Sequence, residues 1–461
     1  MDLSPRPVST APARPDAARR LAADVRQRLR TPPAGAAWRV ERVEVEAEPA
    51  DVLGWLAAQR GREAFYWHGR GSEAARAFVG AADRIAGSRD EVLAALRDRL
   101  PHLPEGTRYV GGLRFASGAP VSPEWSGFAA ARFVLPRVEF RVRGDRAVLA
   151  ANLVFPRDAE HPERVLAELD ALRRPDGSPP PLPLPVRRTD APDRAGWREG
   201  VEAALDAFAT TDLEKVVLAR RADYVFAEPL DPFSLLGRLE AATPSCFHFL
   251  IRPAGGAAFV GASPERLFRQ DGAELWTEAV AGTRPRGASA SRDAELRDEL
   301  RFSDKEQREH GYVLEAIRDA LEPISDRLAA DAETSDLRLA RGRHLYAGVE
   351  ATLKPGVHAL DVLLALHPTP AVGGTPTAAA MGRIEATEPF DRGWYAGPVG
   401  WIGRDDAEFA VALRCGLVAD GGATLSLYSG AGLVRGSEPE AEWAEIEQKI
   451  SDFVRVLGLD A

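Results

Sequence analysis

The stretch 131-ARFVLPRVEFRVRGDRAVLAANLV-154 alternates apolar and polar side chains on both sides of a short polar turn. Alternation with a period of two predicts half-buried β-strands, and Arg143-Gly144-Asp145 supplies a turn at which the chain can reverse. The stretch is therefore predicted to form a β-hairpin, which makes antiparallel pairing the basis of the fold. Further strands are predicted at 37–48, 63–70, 108–115, 214–226, 246–252, 257–263, 274–280, 344–352, 396–403, 408–418 and 423–430.

Helical patterns occur in groups between these strands and do not alternate with them one by one. Without a regular strand–helix–strand alternation, a parallel sheet is not expected. We therefore predict an α+β fold with large antiparallel β-sheets and helices packed around them. The predicted helices are 50–59, 161–173, 193–209, 231–241, 292–321 and 438–457.

Composition excludes several classes of protein. The 461 residues are 45% hydrophobic and 28% charged, as is typical of a globular protein. A formal net charge of -10 without a basic patch argues against a nucleic-acid or membrane partner. No apolar run approaches the roughly 18 residues needed to span a bilayer. Cys246 and Cys415 form no zinc-binding spacing and suit a reducing compartment, so we expect a cytoplasmic protein.

Two segments are predicted to lie outside the regular structure. Residues 1–35 are rich in Pro, Ala and Arg and lack the apolar core of a signal peptide, so they are predicted to form a flexible N-terminal tail. The stretch 174-RPDGSPPPLPLP-185 has too many prolines for a helix or a central strand. It is predicted to be a linker or a surface crossing.

Two predicted helices carry pairs of glutamates one turn apart. Glu306 and Glu309 share one helix face, and Glu442 and Glu445 share another, with Lys449 one turn beyond Glu445. If the two faces met across a cleft, their oxygens would suit a hard cation such as Mg²⁺. The alternative is that both faces are simply exposed to solvent.

Glycine-rich turns lie in the same half of the chain, at 281-AGTRPRG-287, 370-PAVGGTP-376 and 428-YSGAGLVRGS-437. Glycine allows backbone N–H groups to approach an anion, although each stretch can equally be an ordinary turn. The fingerprints of nucleotide binding are absent.

Single polar residues near these turns are further candidates for a site. Glu265 follows an apolar strand, and Arg414 could hold a carboxylate through two hydrogen bonds. His344 and His367 are candidate polar contacts, although a single histidine is more often structural.

One lysine is unusual in a chain whose basic residues are almost all arginine. Lysine occurs only at 215, 305, 354 and 449, and Lys215 lies in 214-EKVVLARR-221, a stretch that ends in two arginines. A lysine amine can give up a proton in a suitable environment, whereas a guanidinium stays charged. Lys215 is therefore a candidate base, and chance retention of a lysine is the alternative.

The segments KVVLAR, GASPERL, AGTRPRG, LHPTPAVGG, WYAGPVGW and YSGAGLVRGSEPEAEW occur in this order together with the two glutamate helices. In this order they closely resemble the chorismate-utilising enzymes, which include isochorismate, salicylate, anthranilate and aminodeoxychorismate synthases. The resemblance is strongest over 190–461, which it identifies as the chorismate-binding catalytic core. It implies that 36–189 is a more variable N-terminal lobe of the same fold, in which 64-AFYWHGR-70 resembles a segment of menaquinone-type isochorismate synthases.

The resemblance also implies a fold like that of anthranilate synthase component I, with two intertwined β-rich halves and an active-site cleft. By this resemblance Glu309 and Glu445 are the main Mg²⁺ ligands, and Glu306 and Glu442 contribute directly or through water. The same resemblance implies that chorismate is held by Tyr395 and Arg414 at its side-chain carboxylate and by Gly282, Thr283, Gly430 and Lys449 near its ring carboxylate.

Family members differ in the nucleophile that they add to chorismate. Enzymes that add ammonia typically have Gln where this chain has Lys215, and aminodeoxychorismate synthases have a nucleophilic Lys where it has Ala281. A lysine amine can activate water as a general base. The resemblance therefore implies an isochorismate synthase, in which Lys215 directs water to C2 and Glu265 protonates the leaving C4 hydroxyl.

Two alternatives to an isochorismate synthase remain open. Salicylate synthases share Lys215 and Glu265 but also eliminate pyruvate, and they tend to have Thr where this chain has Ala371, which favours stopping at isochorismate. His344 would then be a pocket residue without a role in that elimination. The other alternative is a non-catalytic chorismate-binding regulator. No glutaminase subunit is expected, and the chain is expected to be a monomer or a weak dimer that feeds menaquinone or siderophore synthesis.

Overall fold

The computed structural model describes residues 16–459, apart from 34, 36, 117, 119–120, 176–177 and 340–341. Within these ranges the chain forms a 20-stranded antiparallel sheet system. Its strands are β1 (Arg39–Ala47), β2 (Ala64–His68), β3 (Ala74–Gly87), β4 (Tyr109–Leu113), β5 (Ala131–Arg143), β6 (Arg146–Phe155), β7 (Pro185–Ala191), β8 (Lys215–Phe226), β9 (Phe247–Arg252), β10 (Ala258–Ser263), β11 (Arg266–Asp271), β12 (Glu274–Pro285), β13 (Ser325–Ala330), β14 (Ser335–Arg338), β15 (Gly342–Leu353), β16 (Gly374–Thr375), β17 (Pro398–Ile402), β18 (Asp406–Val411), β19 (Cys415–Ala419) and β20 (Thr424–Leu433).

The α-helices of the described part lie between groups of strands. None of them is both long and apolar enough to cross a membrane. They are α1 (Ala17–Arg30), α2 (Val52–Ala57), α3 (Arg89–Arg99), α4 (Arg157–Glu160), α5 (Pro162–Asp170), α6 (Arg194–Thr210), α7 (Pro232–Ala242), α8 (Ala290–Arg301), α9 (Asp304–Leu321), α10 (Ala359–Leu366), α11 (Thr377–Thr387) and α12 (Pro439–Val456).

The predicted hairpin is confirmed and lies where two runs of strands meet. β5 and β6 pair from Val138 and Ala151 to Arg143 and Arg146. One run of neighbours is β1–β6–β5–β3–β2–β9–β10–β19–β20–β8–β7, and the other leaves β5 as β4–β17–β18–β11–β12–β15. All of these pairings are antiparallel, which confirms the predicted α+β class.

Several central strands bury both of their faces. Successive side chains of a strand point to opposite sides of the sheet. In β2, Phe65 and Trp67 belong to one hydrophobic cluster, whereas Ala64 and Tyr66 belong to a second. The sheet therefore has a packed core on each side, and helices cover both cores.

The prediction of a flexible tail over residues 1–35 is wrong for Ala17–Arg30, which form helix α1. Leu21, Val25 and Leu29 recur one turn apart and are buried in one of the cores. Packing of this stripe stabilises a helix that composition alone did not reveal. Residues 1–15 lie outside the described residues.

Two long predicted elements are interrupted. The predicted helix 292–321 is two helices, α8 and α9, because Ser303 begins a new helix by accepting the backbone N–H of Glu306. The predicted strand 408–418 is also two strands, β18 and β19, and Arg414 between them has φ 45°, in the left-handed region. Both interruptions turn the chain near the site described below.

Candidate functional site

One cleft brings together most of the residues that the sequence singles out. It encloses about 730 Å³ of space, part of which is open to solvent. The predicted site residues that line it are Glu265, Gly282, Thr283, Glu309, His344, Ala371, Tyr395, Arg414, Gly430, Glu445 and Lys449. These residues come from strands, turns and both glutamate helices, so the cleft forms only in the folded chain.

Lys215 begins β8 and is completely buried. Its Nζ lies 3.0 Å from Oε1 of Glu309, a residue that lines the cleft. At its own backbone, Lys215 pairs with Thr375 of the short strand β16. The strand therefore fixes the lysine, and its Nζ faces a carboxylate of the cleft.

Gly432 leaves the space in which this ion pair lies. It is on β20, opposite Val217 of β8. A Cβ atom added at Gly432 would overlap Oε1 of Glu309 and lie 3.1 Å from Cε of Lys215. Glycine is therefore required here by close approach of the two charged side chains.

Gly430 and Gly282 are constrained in the same way. A Cβ at Gly430 would lie 2.9 Å from the Tyr395 hydroxyl, and Gly430 accepts a hydrogen bond from Nζ of Lys449 at 2.8 Å. Gly282 has φ 68°, and a Cβ there would lie 2.8 Å from Oε2 of Glu306. The predicted glycine-rich turns at these two positions are instead parts of strands β20 and β12.

Glu265 lies in the short link between β10 and β11 and is buried. Burial, together with the charge of nearby Glu278, raises the pKa of Glu265 to about 8. At neutral pH this carboxyl is therefore mostly protonated and able to donate a proton.

Arg70 and Glu278 form hydrogen bonds with the residues on either side of Glu265. Arg70 donates one hydrogen bond to the carbonyl of Pro264 and another to Oε2 of Glu278. The other oxygen of Glu278 accepts the backbone N–H of Arg266 at 2.8 Å. Since Glu278 is buried and paired, this arrangement fixes the backbone on each side of Glu265.

The four glutamates that the sequence suggests as Mg²⁺ ligands, two on α9 and two on α12, are all paired with cations. Glu309 pairs with Lys215, and the other three pairs are Glu306 with Arg284 at 2.8 Å, Glu442 with Lys305 at 2.7 Å and Glu445 with Lys449 at 2.7 Å. The Lys305–Glu442 pair joins the two helices, and because Glu306 and Glu442 are buried, the two faces are not simply exposed to solvent. Glu306 and Glu442 are buried but do not line the cleft itself.

The carboxylates also repel one another. Burial and the charge of Glu309 raise the pKa of Glu306, and burial and the charge of Glu445 raise the pKa of Glu442. Burial also acts to raise the pKa of Glu445, but the Lys449 ammonium outweighs it and lowers that pKa. The cation partners of these glutamates therefore offset a repulsion that acts between the buried carboxylates.

This donor set fits Mg²⁺. Among the described residues, no three of the four glutamates bring their oxygens within 4.8 Å of one another, so they do not form a closed cage. Mg²⁺ does not need such a cage, because it commonly binds one or two carboxylates and completes its shell with water and substrate oxygens.

His344 and Arg414 form one network across the cleft. Nδ1 of His344 donates to the carbonyl of Gly282 at 2.9 Å, and its Nε2 accepts from Nη2 of Arg414 at 3.2 Å. Burial, and then the charge of Arg414, lower the pKa of His344 to about 3. The imidazole is therefore neutral, and it positions the guanidinium, which also contacts Asp452.

Tyr395 and Ala371 also line the cleft. The Tyr395 ring stacks on Tyr428 with centroids 5.5 Å apart, and burial raises the pKa of the Tyr395 phenol, which stays protonated.

His367 is buried against Phe115 and contacts its carbonyl at 3.3 Å. It does not line the cleft and is a structural residue.

Sequence reasoning missed several residues that shape this site. Arg70 ends the segment 64-AFYWHGR-70 and Glu278 lies in a predicted strand, but the pairing of the two depends on tertiary contacts. Gly432, Lys305 and Arg284 were within or beside the quoted motifs. Each of these three residues lies in or beside a segment that the sequence singles out, but the residue that it contacts is distant in sequence.

Comparison with known proteins gives the family. The model of the family described as chorismate binding enzyme matches residues 38–458. Isochorismate synthase 2, chloroplastic, of Arabidopsis thaliana is 36% identical over 364 residues, which are 76% of this chain and 64% of that protein. The chain thus spans less than two thirds of that relative.

A bacterial relative matches over nearly its whole length. Isochorismate synthase MenF of Escherichia coli strain K12 is 33% identical over 427 residues, which are 89% of this chain and 91% of that protein. The solved structure of the menaquinone-specific isochorismate synthase MenF from Escherichia coli has a TM-score of 0.83 and 30% identity, covering 96% of this chain and 100% of that one. The protein described here therefore belongs to the chorismate-binding enzyme family.

Proposed function

We propose that the protein is an isochorismate synthase that converts chorismate reversibly to isochorismate in the presence of Mg²⁺. The observation that carries this proposal is a buried, protonated glutamic acid that lines the cleft, together with a buried lysine in contact with another lining residue. Lys215 contacts the lining residue Glu309, and Glu265 lines the cleft directly. A base and an acid are both needed to add water and remove a hydroxyl group.

In the proposed reaction, Lys215 takes a proton from water while the water oxygen bonds to C2 of chorismate. The ring double bonds shift, the C4–O bond breaks, and Glu265 protonates the departing hydroxyl. One water is consumed and one is released, so the product is an isomer of the substrate. The raised pKa of Glu265 supports its role as the acid.

Arg70 and Glu278 are proposed to position this acid. Their hydrogen bonds to Pro264 and Arg266 restrain the backbone around Glu265. The Glu278 charge also favours the protonated form of the acid. A fixed acid with a pKa near the working pH is the arrangement that general acid catalysis requires.

The cations and backbone groups of the cleft are proposed to hold the two carboxylates of chorismate. Arg414 and Tyr395 would bind the side-chain carboxylate, while Lys449 and the backbone at Gly430 would lie near the ring carboxylate. Gly282 and Thr283 would complete that second group. The neutral His344, which accepts from Arg414, supports a fixed orientation of the guanidinium.

Glu309 and Glu445 are proposed as the principal residues for Mg²⁺, with Glu306 and Glu442 contributing directly or through water. When bound, Mg²⁺ would neutralise carboxylate repulsion and attract a carboxylate of the substrate. Because the ion and the dicarboxylate have opposite and equal charges, their joint binding would leave the net charge of the cleft unchanged. The pairing of each glutamate with a cation supports a balanced site.

Two related activities are distinguished by their products. Ala281 replaces the nucleophilic lysine expected of an aminodeoxychorismate synthase, and Lys215 replaces the glutamine of ammonia-using enzymes. Ala371 favours release of isochorismate over pyruvate elimination, which a salicylate synthase would carry out. A regulator that binds chorismate without turnover is not favoured by a cleft that is lined by an acid, Glu265, and whose lining residue Glu309 contacts a candidate base.

We further propose a cellular location and an oligomeric state for the enzyme. We place it in the cytoplasm, without a glutaminase subunit, as a monomer or weak dimer that supplies menaquinone or siderophore synthesis. Residues 36–189 would be the variable lobe and residues 190–461 the catalytic core, although strands of the two parts pair, as β2 does with β9.

Product analysis tests the proposed function. Purified protein is incubated with chorismate and Mg²⁺, and the products are separated by chromatography, with and without added ammonia. Isochorismate alone is expected. Anthranilate in the presence of ammonia, salicylate together with pyruvate, or binding of chorismate without any product would each replace the proposal by one of its alternatives.

A further inference from the structure

A cluster of two histidines and a glutamate lies outside the cleft. His68 ends β2 and stands directly opposite His248 of β9, while Glu240 is on α7. One ring nitrogen of each histidine and one oxygen of Glu240 all lie within 4.8 Å of one another. None of the three lines the cleft.

One ring nitrogen of His68 faces Glu240 and the other faces a backbone carbonyl. Its Nε2 lies 2.9 Å from the carbonyl oxygen of Ser72, which can only accept, so Nε2 carries a proton. Nδ1 of His68 lies 2.5 Å from Oε1 of Glu240. Because Nε2 carries the proton of the neutral ring, Nδ1 has a free lone pair unless the ring binds a second proton. A proton held between these two atoms forms the His68–Glu240 ion pair, and a metal cation can take the place of that proton.

The hydrogen bonds of His248 locate its ring proton in the same way. Its Nε2 lies 2.9 Å from Oγ1 of Thr243, and that hydroxyl gives its own proton to the carbonyl of Leu239 at 2.6 Å. Thr243 therefore accepts, and Nε2 of His248 is the donor. Nδ1 of His248 is consequently the nitrogen with a free lone pair.

We propose that His68, His248 and Glu240 form a binding site for a transition-metal cation such as Zn²⁺, separate from the Mg²⁺ region. Two imidazole nitrogens and one carboxylate oxygen are a ligand set that Zn²⁺ uses with a fourth position open to water. Mg²⁺ prefers oxygen ligands, so the two regions select different ions.

The surroundings of the cluster match what a metal site needs. Metal-binding histidines usually donate their second N–H to a carbonyl or another acceptor, as both histidines do here. The Tyr66 hydroxyl donates to Glu240 and orients the carboxylate. His248 is buried, whereas the His68 and Glu240 side chains are 31% and 26% exposed, which gives an ion access from one side.

Binding an ion requires only a small movement. Zinc–nitrogen and zinc–oxygen bonds of about 2.0 Å place neighbouring ligand atoms roughly 3 Å apart, so His68 and Glu240 must separate slightly from their contact without the ion. Both side chains are partly exposed and have room to move. Their backbones lie on a strand and a helix, so the site would tie the end of α7 to β2 and β9.

The test is equilibrium dialysis of the full chain against Zn²⁺ in excess Mg²⁺, followed by metal analysis. The cluster variants are His68→Ala and Glu240→Gln, and Thr243→Val removes the acceptor that orients His248. His161→Ala is the matched control, because His161 lies 3.8 Å from Glu163 as an exposed pair without a second histidine. Cobalt(II) is used as a second probe, since its visible spectrum reports the nitrogen ligands.

Stoichiometric Zn²⁺ is expected in wild type and His161→Ala, with affinity lowered ~10–100-fold in the cluster variants and in Thr243→Val. His68 is at the end of a strand and partly exposed, so its variant is expected to fold even if others do not. Failure of wild type to retain Zn²⁺, or equal retention by all variants, would contradict the proposal. Loss of Zn²⁺ in Glu445→Gln but not in the cluster variants would place the ion at the glutamates and would also contradict it.

Discussion

Nζ of Lys215 lies 3.0 Å from Oε1 of Glu309, and the lysine side chain is fully buried. The proposed base thus faces a carboxylate that is also a proposed ligand of Mg²⁺. Lys215 and Mg²⁺ would therefore share one carboxylate. This relationship links the two parts of the proposed mechanism.

Lys215→Arg is expected to lower kcat by at least ~100-fold, because a guanidinium keeps the positive charge but cannot accept a proton from water. Initial rates of isochorismate formation measure the effect. Lys354→Arg is the matched control, since Lys354 is exposed and the one described contact of its Nζ is with the carbonyl of Pro323. Near-normal turnover by Lys215→Arg would remove Lys215 from the role of base.

The rate is expected to fall as pH rises through about 8, because Glu265 donates a proton only while it is protonated and its pKa is about 8. Glu278→Gln removes a charge that raises this pKa, so the alkaline limb of the rate profile should move to lower pH. Glu278→Asp keeps the charge and should leave the limb closer to that of wild type. The pH dependence of kcat for the three proteins measures this.

A simple loss of structure in Glu278→Gln would lower the rate at every pH and leave the position of the limb unchanged. That result would count against an electrostatic influence of Glu278 on Glu265. An alkaline limb that persists in a residually active Glu265→Gln variant would show that another group is responsible for it.

Glu445→Gln is expected to raise the Mg²⁺ concentration that gives half-maximal activity by ~10-fold or more, since it removes a charged oxygen ligand. Glu440→Gln on the same helix is the matched control. Glu440 is exposed and pairs with Arg194 and Arg198 on the surface. An unchanged Mg²⁺ dependence in Glu445→Gln would argue against this residue as a ligand.

Gly432→Ala is expected to lower activity strongly, because the added methyl group would displace the Lys215–Glu309 pair. Gly311→Ala is the control on α9, where an added Cβ meets no atom within 4 Å. Activity and thermal unfolding are measured together. Comparable activity of both variants would mean that the close approach at Gly432 does not matter for turnover.

The sequence predicted the site better than it predicted the boundaries of the elements. The ordered motifs surround the cleft, because each motif carries its own chemical groups and local turn residues. The alternation of residues 131–154 also predicted the hairpin correctly, since a half-buried strand shows its period directly.

The remaining features depend on contacts between distant segments. Helix α1 is stabilised by packing of Leu21 and Val25, which the composition of the tail concealed. The Arg70–Glu278 pair joins residues that are far apart in the chain, and no local pattern indicates such a pair. The break at Arg414 arises from an unusual backbone angle that sequence periodicity does not reveal.

Turnover of chorismate in heavy-oxygen water tests the central claim most directly. Mass spectrometry of the isochorismate formed at early times reports whether an oxygen from solvent has entered the ring. The proposed mechanism predicts one heavy oxygen, located at C2, in wild type and a rate of labelled product that collapses in Lys215→Arg. Isochorismate formed without the label would mean that the original hydroxyl had migrated, and would contradict attack by water.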